Sequence, residues 1–346
     1  MKKLLAILLV ALMLVPTLAL AENTEEKVLN IYTWDTYIDD ATCAAFTAQT
    51  GIKINYAPMG TNDEAVAKLQ MNGGSEYDIV LVSDYAVDII RKAGLLHELN
   101  KDNLPNYANL NPAYLNQFYD PDNAYAIPYM AGSPLIVYDE EKIGFEITGY
   151  EDLWDERLED AIVTIDDARV IIGITLKTLG ESFNVTDPAI LEKAKEKLFP
   201  LLKNIHAFDY DTPDNVVVSG EASVGFMFTP QVQNALAGNP DLKVCYPKEG
   251  LGFGIDCMII PVNAPHPTNA EMFLNYLMDA EVAANCAMMQ GYMNPNLAAE
   301  AFLPEEYQNN PVLFIPQEKL GTPEIIHDVG EAEAIFQQIW TEFKAQ

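Results

Sequence analysis

Residues 28–56 read VLNIYTWDTYIDDATCAAFTAQTGIKINY, and the order of apolar and polar positions in this stretch decides the fold. Residues 28–32 form a short apolar run that is typical of a buried strand. Residues 39–49 predict a helix. Residues 52–56 form a second strand-like run. The stretch therefore predicts a β-α-β unit.

The same alternation continues as far as Gly94. Thr61 and Glu64 form a capping box that predicts a helix to about residue 71. Residues 77–82 predict a third strand, and residues 85–93 predict a third helix. This order predicts an α/β fold in which a parallel or mixed sheet is covered by helices on both faces. In such sheets ligands bind beyond the carboxyl ends of the strands.

Two of these predicted strand ends carry acidic residues next to aromatic residues. The first is Trp34-Asp35-Thr36-Tyr37 and the second is Ser83-Asp84-Tyr85. Aromatic rings attract cations through their faces, and carboxylates pair with them, so this combination suits an organic cation. The alternative is that Trp34 and Tyr37 are ordinary core aromatics beside a surface Asp. The repetition of the pattern at a second strand end favours a site.

The N-terminus predicts an exported protein. Residues 1–21 have a charged start (Lys2, Lys3), an apolar stretch and a small-x-small end, which is the pattern of a cleavable signal peptide. A lipoprotein would need a Cys after the cleavage site, where this chain has Glu22. No later segment is apolar enough to span a membrane. We therefore expect a periplasmic protein without a membrane anchor.

The charge excludes one class of partner. The chain has a formal net charge of -31, and loss of Lys2 and Lys3 with the leader would make it more negative by two. Such a chain repels nucleic acid and concentrates cations around itself. An acidic surface is also a common solubility device, so the charge is compatible with a cationic ligand without requiring one.

The Cys and His residues predict neither a metal site nor a cofactor. Their spacing matches no zinc pattern. The spacing of Cys245 and Cys257 around Gly250 leaves open a disulfide across a hairpin, which an oxidising compartment would permit.

The second half of the chain predicts another α/β unit. Residues 161–165 form a strand, and Asp166-Asp167 stands where a helix N-cap would be, although residues 170–175 suit a strand equally well. Residues 254–261 form a later apolar strand that carries Asp256, a charge that is costly there without a partner. The length of the mature chain predicts two domains.

Several motifs together resemble one family, the bacterial polyamine-binding proteins that serve ATP-driven importers as extracytoplasmic spermidine/putrescine receptors. The matching stretches run in order along nearly the whole mature chain. They are YTWDTY at 32–37, QTGIK at 49–53, YDIV at 77–80, DDAR at 166–169, PKEG at 247–250, GY at 291–292, PNLAA at 295–299 and HDVG at 327–330.

The resemblance implies a two-lobed periplasmic binding protein of type II, with a mixed sheet flanked by helices in each lobe. The chain would cross between lobes near residues 131–133 and near Asp256. Lobe 1 would then comprise residues 22–131 plus about 258–300, and lobe 2 residues 132–257 plus about 301–346. The ligand would lie in the cleft between the lobes.

The resemblance also implies which residues line the cleft. They are Trp34, Thr36, Tyr37, Ser83, Tyr85, Asp167, Phe228, Asp256 and Tyr292. We add Asp35 and Asp84 as candidates because each lies one residue from a matched position. Without the resemblance, Asp167 would be read as a helix cap, and Phe228 and Tyr292 as core aromatics. A polyamine needs aromatic walls for its methylenes and a carboxylate for each buried ammonium.

Five positions depart from the family pattern. The family has an acid where Thr36 and Val170 stand, an indole where Phe228 and Gly254 stand, and an amide at Ile326. We therefore expect a ligand with fewer or differently spaced ammonium groups than spermidine, such as putrescine.

Other functions remain as alternatives. A thiamine- or betaine-like cation, or a neutral sugar, would fit the same fold. Arg occurs only at 91, 157 and 169, which argues against an anion. An enzyme in which Asp166-Asp167 and Asp256 act as an acid–base pair has no supporting catalytic motif. The expected partners are a transporter permease and its ATPase, and the expected state is a monomer without cofactor or metal.

Overall fold

The structure is a computed structural model that describes residues 25–35, 37–315 and 324–346. The expected leader and Thr36 lie outside the described residues. Two mixed sheets organise the chain, which confirms the predicted α/β fold with two lobes. We define the first lobe by the first sheet and the second lobe by the second sheet.

The first sheet contains the N-terminal strands. Its members are β1 Val28–Thr33, β2 Lys53–Pro58, β3 Ile79–Ser83, β4 Ala126–Gly132, β10 Gly252–Ile259 and β11 Glu324–Ile325. The strands β1, β2 and β3 are parallel, whereas β10 runs antiparallel to β3 and β4. Buried apolar clusters cover both faces of this sheet. The carboxyl ends of β1 and β3 consequently lie at one edge, beside the middle of β10.

The second sheet contains the remaining strands. They are β5 Leu135–Tyr138, β6 Ile162–Thr164, β7 Ile205–Phe208, β8 Val224–Met227 and β9 Lys243–Cys245. The strand order is β7-β6-β8-β5-β9, with β6 parallel to β7 and β8. This sheet has a separate hydrophobic core.

The helices of the first lobe pack around its sheet, and the longer ones agree with the predicted positions within a few residues. They are α1 Asp40–Thr50, α2 Asn62–Asn72, α3 Asp84–Lys92, α9 Pro267–Leu277, α10 Ala280–Gln290 and the short α11 Glu305–Gln308.

The second lobe has its own helices. They are α4 Glu140–Ile143, α5 Ala168–Thr178, α6 Pro188–Leu198, α7 Pro213–Ser219, α8 Thr229–Gly238 and α12 Glu333–Lys344. The ambiguous residues 170–175 are helical. Gly173 packs so closely on Phe183 that a Cβ atom there would lie 2.4 Å from the ring.

The chain passes between the sheets at short connections. Ser133 and Pro134 join β4 to β5, close to the predicted crossing near 131–133. The second passage lies between Cys245 and Gly252, because β10 belongs to the first sheet over its whole length. Asp256 therefore stands in the first sheet and not at the crossing that the resemblance implies.

A third passage lies near the C-terminus. The strand β11 pairs with β10 in the first sheet, while Glu324 is bound by side chains of the second lobe. Its carboxylate accepts hydrogen bonds from Lys177 Nζ at 3.5 Å and from Asn184 Nδ2 at 3.1 Å, and from the Ser182 hydroxyl. After β11 the chain enters α12, which packs on α5 and α6.

All four cysteines, Cys43, Cys245, Cys257 and Cys286, are buried free thiols. Cys245 and Cys257 lie in different sheets, so the disulfide left open by their spacing is absent. The turn between them is a passage between lobes and not a hairpin. None of the described helices combines the length and apolarity that crossing a bilayer requires.

Candidate ligand-binding cleft

Asp256 is the centre of the candidate site in the first lobe. Its carboxylate accepts a hydrogen bond from Ser83 Oγ at 2.8 Å and another from the Tyr37 hydroxyl. Burial raises the pKa of Asp256 above its usual value, and the two hydrogen bonds oppose that shift. The group is therefore a poorly solvated carboxylate held in place by two neutral donors, and a cation would stabilise its charged form.

Aromatic rings surround this carboxylate. The Tyr37 ring lies 5.4 Å from Trp34 in an edge-on arrangement and 6.3 Å from Tyr292, measured between ring centroids. Burial and the charge of Asp256 raise the pKa of Tyr37 well above its usual value, so its hydroxyl remains a proton donor. The arrangement provides ring faces and edges beside a carboxylate.

Ser83 is positioned by a residue that the sequence analysis missed. Asn62, at the start of α2, accepts a hydrogen bond from the Ser83 backbone N–H at 2.9 Å and donates one to Ser83 Oγ at 3.1 Å. The capping-box signal marks this helix start but gives no indication that Asn62 reaches the end of β3. Asn62 therefore orients the Ser83 hydroxyl that donates a hydrogen bond to Asp256.

Asp84 does not line the cleft, which corrects the sequence prediction. Its side chain is 1 % exposed and accepts hydrogen bonds from the backbone N–H groups of Ile255 at 3.0 Å and Tyr85 at 2.7 Å. The carboxylate thus joins the first turn of α3 to β10. The other added candidate, Asp35, is an exposed residue of the turn between Trp34 and Tyr37.

The second lobe contributes Asp167 at the start of α5. Its carboxylate accepts a hydrogen bond from the Val170 backbone N–H at 3.0 Å, so it caps the helix. Burial raises its pKa, and hydrogen bonds from the backbone N–H groups of Val170 and Arg169 oppose the shift. The charge of Asp167 raises the pKa of Tyr85 in the first lobe, after the larger effects of burial and Asp63. The two predicted residues, one from each lobe, are therefore within electrostatic range of each other.

Tyr210 is a further aromatic residue that the sequence analysis missed. It follows β7, and its ring centroid lies 5.7 Å from that of Phe228. Partial burial, followed by the charges of Asp167 and Asp256, raises the pKa of Tyr210 to about 12. Its sequence context, Asp209-Tyr210-Asp211, repeats the acid–aromatic pattern seen at the first two strand ends. The structure thus brings Tyr210 within range of a carboxylate from each lobe.

Hydrogen bonds fix the connection between β4 and β5, where the chain first passes between the lobes. The Thr229 hydroxyl donates to the Ser133 carbonyl at 3.1 Å and accepts from the Ser133 N–H at 3.4 Å. Both residues are buried. The reciprocal bonds fasten the start of α8 to the connection between β4 and β5.

A separate cavity of about 230 Å³ lies elsewhere and suits a cation less well. Phe253 and Met293 contribute to its lining, together with Tyr114 and Tyr307. Glu300 is the one charged residue among the lining residues described, and it is exposed. This cavity lacks the two enclosed carboxylates of the cleft. Within the described ranges, no group of three or more His, Cys, Asp or Glu side chains is arranged to hold a metal ion.

Comparison with known proteins agrees with this architecture. The sequence model of the family described as bacterial extracellular solute-binding protein matches residues 41–315. The spermidine/putrescine-binding periplasmic protein of Salmonella typhimurium is 35 % identical over 326 residues, 94 % of each chain. The protein of the same description from Escherichia coli is 34 % identical over the same shares of the two chains.

A solved structure is similar over nearly the same extent. The spermidine/putrescine ABC transporter substrate-binding protein PotD from Streptococcus pneumoniae superimposes with a TM-score of 0.83 at 30 % identity, covering 92 % of this chain and 99 % of that one. The resemblance predicted from the motifs is confirmed. The chain belongs to the bacterial extracellular solute-binding protein family.

Proposed function

We propose that this protein captures a polyamine in the periplasm and delivers it to an ABC importer. The observation that carries the proposal is one enclosed carboxylate in each lobe: Asp256, which lies beside aromatic rings, and Asp167, which is within electrostatic range of Tyr85 and Tyr210. Each carboxylate would pair with one ammonium group, and the rings would contact the methylenes between them. The printed descriptions of the relatives, which are spermidine/putrescine-binding proteins, support the ligand class.

The residues proposed to contact the ligand come from both lobes. They are Trp34, Tyr37, Ser83, Tyr85, Asp167, Phe228, Asp256 and Tyr292. Thr36 and Asp35 stay candidates from the sequence pattern alone. A ligand that bridges the lobes would stabilise the closed arrangement over an open one, because it gains contacts to both only when they are close. The closed surface would then be recognised by the permease, whose ATPase drives import.

The ligand is proposed to carry two ammonium groups, as putrescine does. The second lobe offers Asp167 but has the apolar Val170 one helical turn later, with only 7 % of its surface exposed. A third ammonium near this helix would lack a partner, which is costly in an enclosed site. We therefore expect putrescine to bind more tightly than spermidine.

We also propose that the protein is exported and acts in the periplasm. The leader at residues 1–21 would be cleaved, and the mature protein would act as a soluble monomer in the periplasm, without a lipid anchor and without catalysis. Mass spectrometry of the secreted protein tests the cleavage site. A lipid-modified N-terminus would contradict the absence of an anchor.

Calorimetric titration with putrescine, cadaverine, spermidine, thiamine and betaine tests the ligand. We expect D256N and D167N to weaken putrescine binding by roughly 10- to 100-fold each, the range for loss of a hydrogen bond to a charged group. D187N is the matched control, because Asp187 caps α6 as Asp167 caps α5 and is exposed. Asn preserves both caps. Binding that is indifferent to salt and to D256N would indicate a neutral ligand such as a sugar.

A further inference from the structure

A bare section of the cleft wall lies next to Asp256. Gly254 precedes Asp256 by two residues, so both face the same side of β10. A Cβ atom added to Gly254 would have nothing within 4 Å, which shows open space. Its cross-strand partner is Gly132, and there a Cβ atom would lie 2.8 Å from the Tyr292 ring. One of the paired glycines is therefore covered by Tyr292, and the other is open.

Tyr210 belongs to the part of the second lobe that approaches this pair of glycines. Its neighbour Phe228 is followed by Thr229, whose Oγ would lie 3.5 Å from a Cβ atom added to Gly132. About half of its surface is exposed, at 53 %, and its ring lies edge-on to Phe228. Its phenol is in electrostatic range of Asp256, and it also raises the pKa of Tyr292, although burial and Asp256 raise it more. The contact with Phe228 therefore puts Tyr210 on the side of the second lobe that approaches the bare section, and its electrostatic effect on Tyr292 agrees with that position.

The loop that carries Tyr210 is fixed by its own hydrogen bonds. Asp209 Oδ1 accepts from the backbone N–H groups of Asp211 at 3.0 Å and Thr212 at 2.9 Å. Gln231 Nε2 donates to the Tyr210 carbonyl at 2.8 Å, while Gln231 Oε1 accepts from the Phe228 N–H at 3.0 Å. The side-chain amide of Gln231 therefore holds Tyr210 near Phe228 through one hydrogen bond to the backbone of each.

We propose that Tyr210 is a ligand-contacting residue that completes the aromatic wall over Gly254, and that Gln231 is the residue that positions it. The inference rests on the proposed function and adds to it. The ligand chain would lie between the Tyr210 ring and β10 as it runs from Asp256 to Asp167. An ammonium group near the ring face gains cation–π attraction, and the methylenes gain apolar contact.

The test measures putrescine affinity for variants at Tyr210. Y210A should weaken binding about 2- to 30-fold, the range that a cation–π contact supplies. Y210F should stay near the wild-type affinity because it keeps the ring. Y210L, which fills similar space without a π face, should fall between them. F302A is the matched control, since Phe302 is an equally exposed aromatic, at 51 %, outside the cleft.

A double-mutant cycle tests the role of Gln231. Q231A should weaken binding in the wild-type background and cost little in the Y210A background, because its effect passes through Tyr210. Equal costs in both backgrounds would overturn the positioning role.

The outcomes separate the two proposals. If wild-type protein binds putrescine and Y210A binds it equally well, the inference about Tyr210 is overturned and the proposed function stands. If wild-type protein gives no binding heat with any diamine or triamine, both are overturned. Loss of affinity in Y210A, with Y210F and F302A close to wild type, supports the inference.

Discussion

Tyr37 donates a hydrogen bond to Asp256, a residue 219 positions away in the sequence. The bond joins the loop after the first strand to the antiparallel strand at the centre of the sheet. Because Tyr37 also contacts Trp34 and Tyr292, this one carboxylate organises most of the aromatic wall in the first lobe. The charge and the rings are therefore a coupled unit.

Loss of this bond should alter the titration of Asp256. The hydrogen bond from Tyr37 favours the charged carboxylate, so Y37F should raise the pKa of Asp256 further. Putrescine binding should weaken, and its decline on acidification should begin at a higher pH than in the wild type. The measurement is affinity as a function of pH. Y276F is the control, because that hydroxyl contacts the Thr42 carbonyl away from the cleft. Superimposable pH profiles for Y37F and the wild type would contradict the role of the bond.

Binding of a cation should release protons in mildly acidic solution. Burial raises the pKa of both Asp167 and Asp256 in the free protein, and a bound cation would lower both. Affinity should therefore fall as the pH drops through the raised pKa values. Calorimetry in two buffers of different ionisation enthalpy measures the released protons. An uptake of protons, or none at any pH down to about 4, would argue against carboxylate contacts.

Asp256 should also lower the stability of the unliganded protein at neutral pH. A carboxyl group whose folded-state pKa is raised binds its proton more tightly in the folded state than in the unfolded state. Its contribution to the free energy of unfolding therefore decreases as the pH rises from the unfolded-state pKa to the raised one. D256N removes this contribution. We expect its advantage over the wild type in urea unfolding to increase with pH across that window. A constant difference at all pH values would contradict the assignment.

A large side chain at position 254 should leave folding intact but reduce ligand binding. The open space around it and its position in a strand predict that G254I folds with unchanged or higher thermal stability. The Ile side chain would occupy space proposed for the ligand, so putrescine affinity should fall by at least about tenfold. G132A is the contrasting variant, because its methyl group would collide with Tyr292. An unchanged affinity in G254I would show that the ligand lies elsewhere.

The bonds at the first passage should contribute measurably to stability. T229V removes the hydroxyl that both donates to and accepts from the buried Ser133 backbone. Leaving these groups unpaired should cost about 1–3 kcal/mol in the free energy of unfolding. T229S retains the hydroxyl and should be close to the wild type. Urea denaturation of the two variants checks the difference.

The fold of the first lobe could be predicted because its elements carry their own signals. The capping box at Thr61 and the apolar runs of strand length predicted the element positions within a few residues. The second lobe was harder, since residues 170–175 have β-branched side chains that favour a strand locally. The helix there depends on the cap at Asp167 and on contact between Gly173 and Phe183, which is a tertiary effect.

Site residues were predicted where the sequence indicated the end of a strand, and they were missed where it did not. Asp84 was misplaced because it is the first residue of a helix, where successive side chains diverge by about 100°. Ser83 therefore bonds to Asp256 while Asp84 turns into the protein. Tyr210 was missed because the strand that it follows, β7, was not recognised in the sequence, so the acid–aromatic pattern at residues 209–211 was not read as a strand end.

The third passage has a consequence for using this protein as a sensor. Glu324 is bound to the second lobe, while the short strand that it begins is paired with the first. Within the described residues the chain connects the lobes at three points, and we expect these connections to permit bending about a shared axis while restraining twisting. A donor and acceptor dye attached on opposite lobes would then report ligand capture as a change in one distance, with little contribution from rotation.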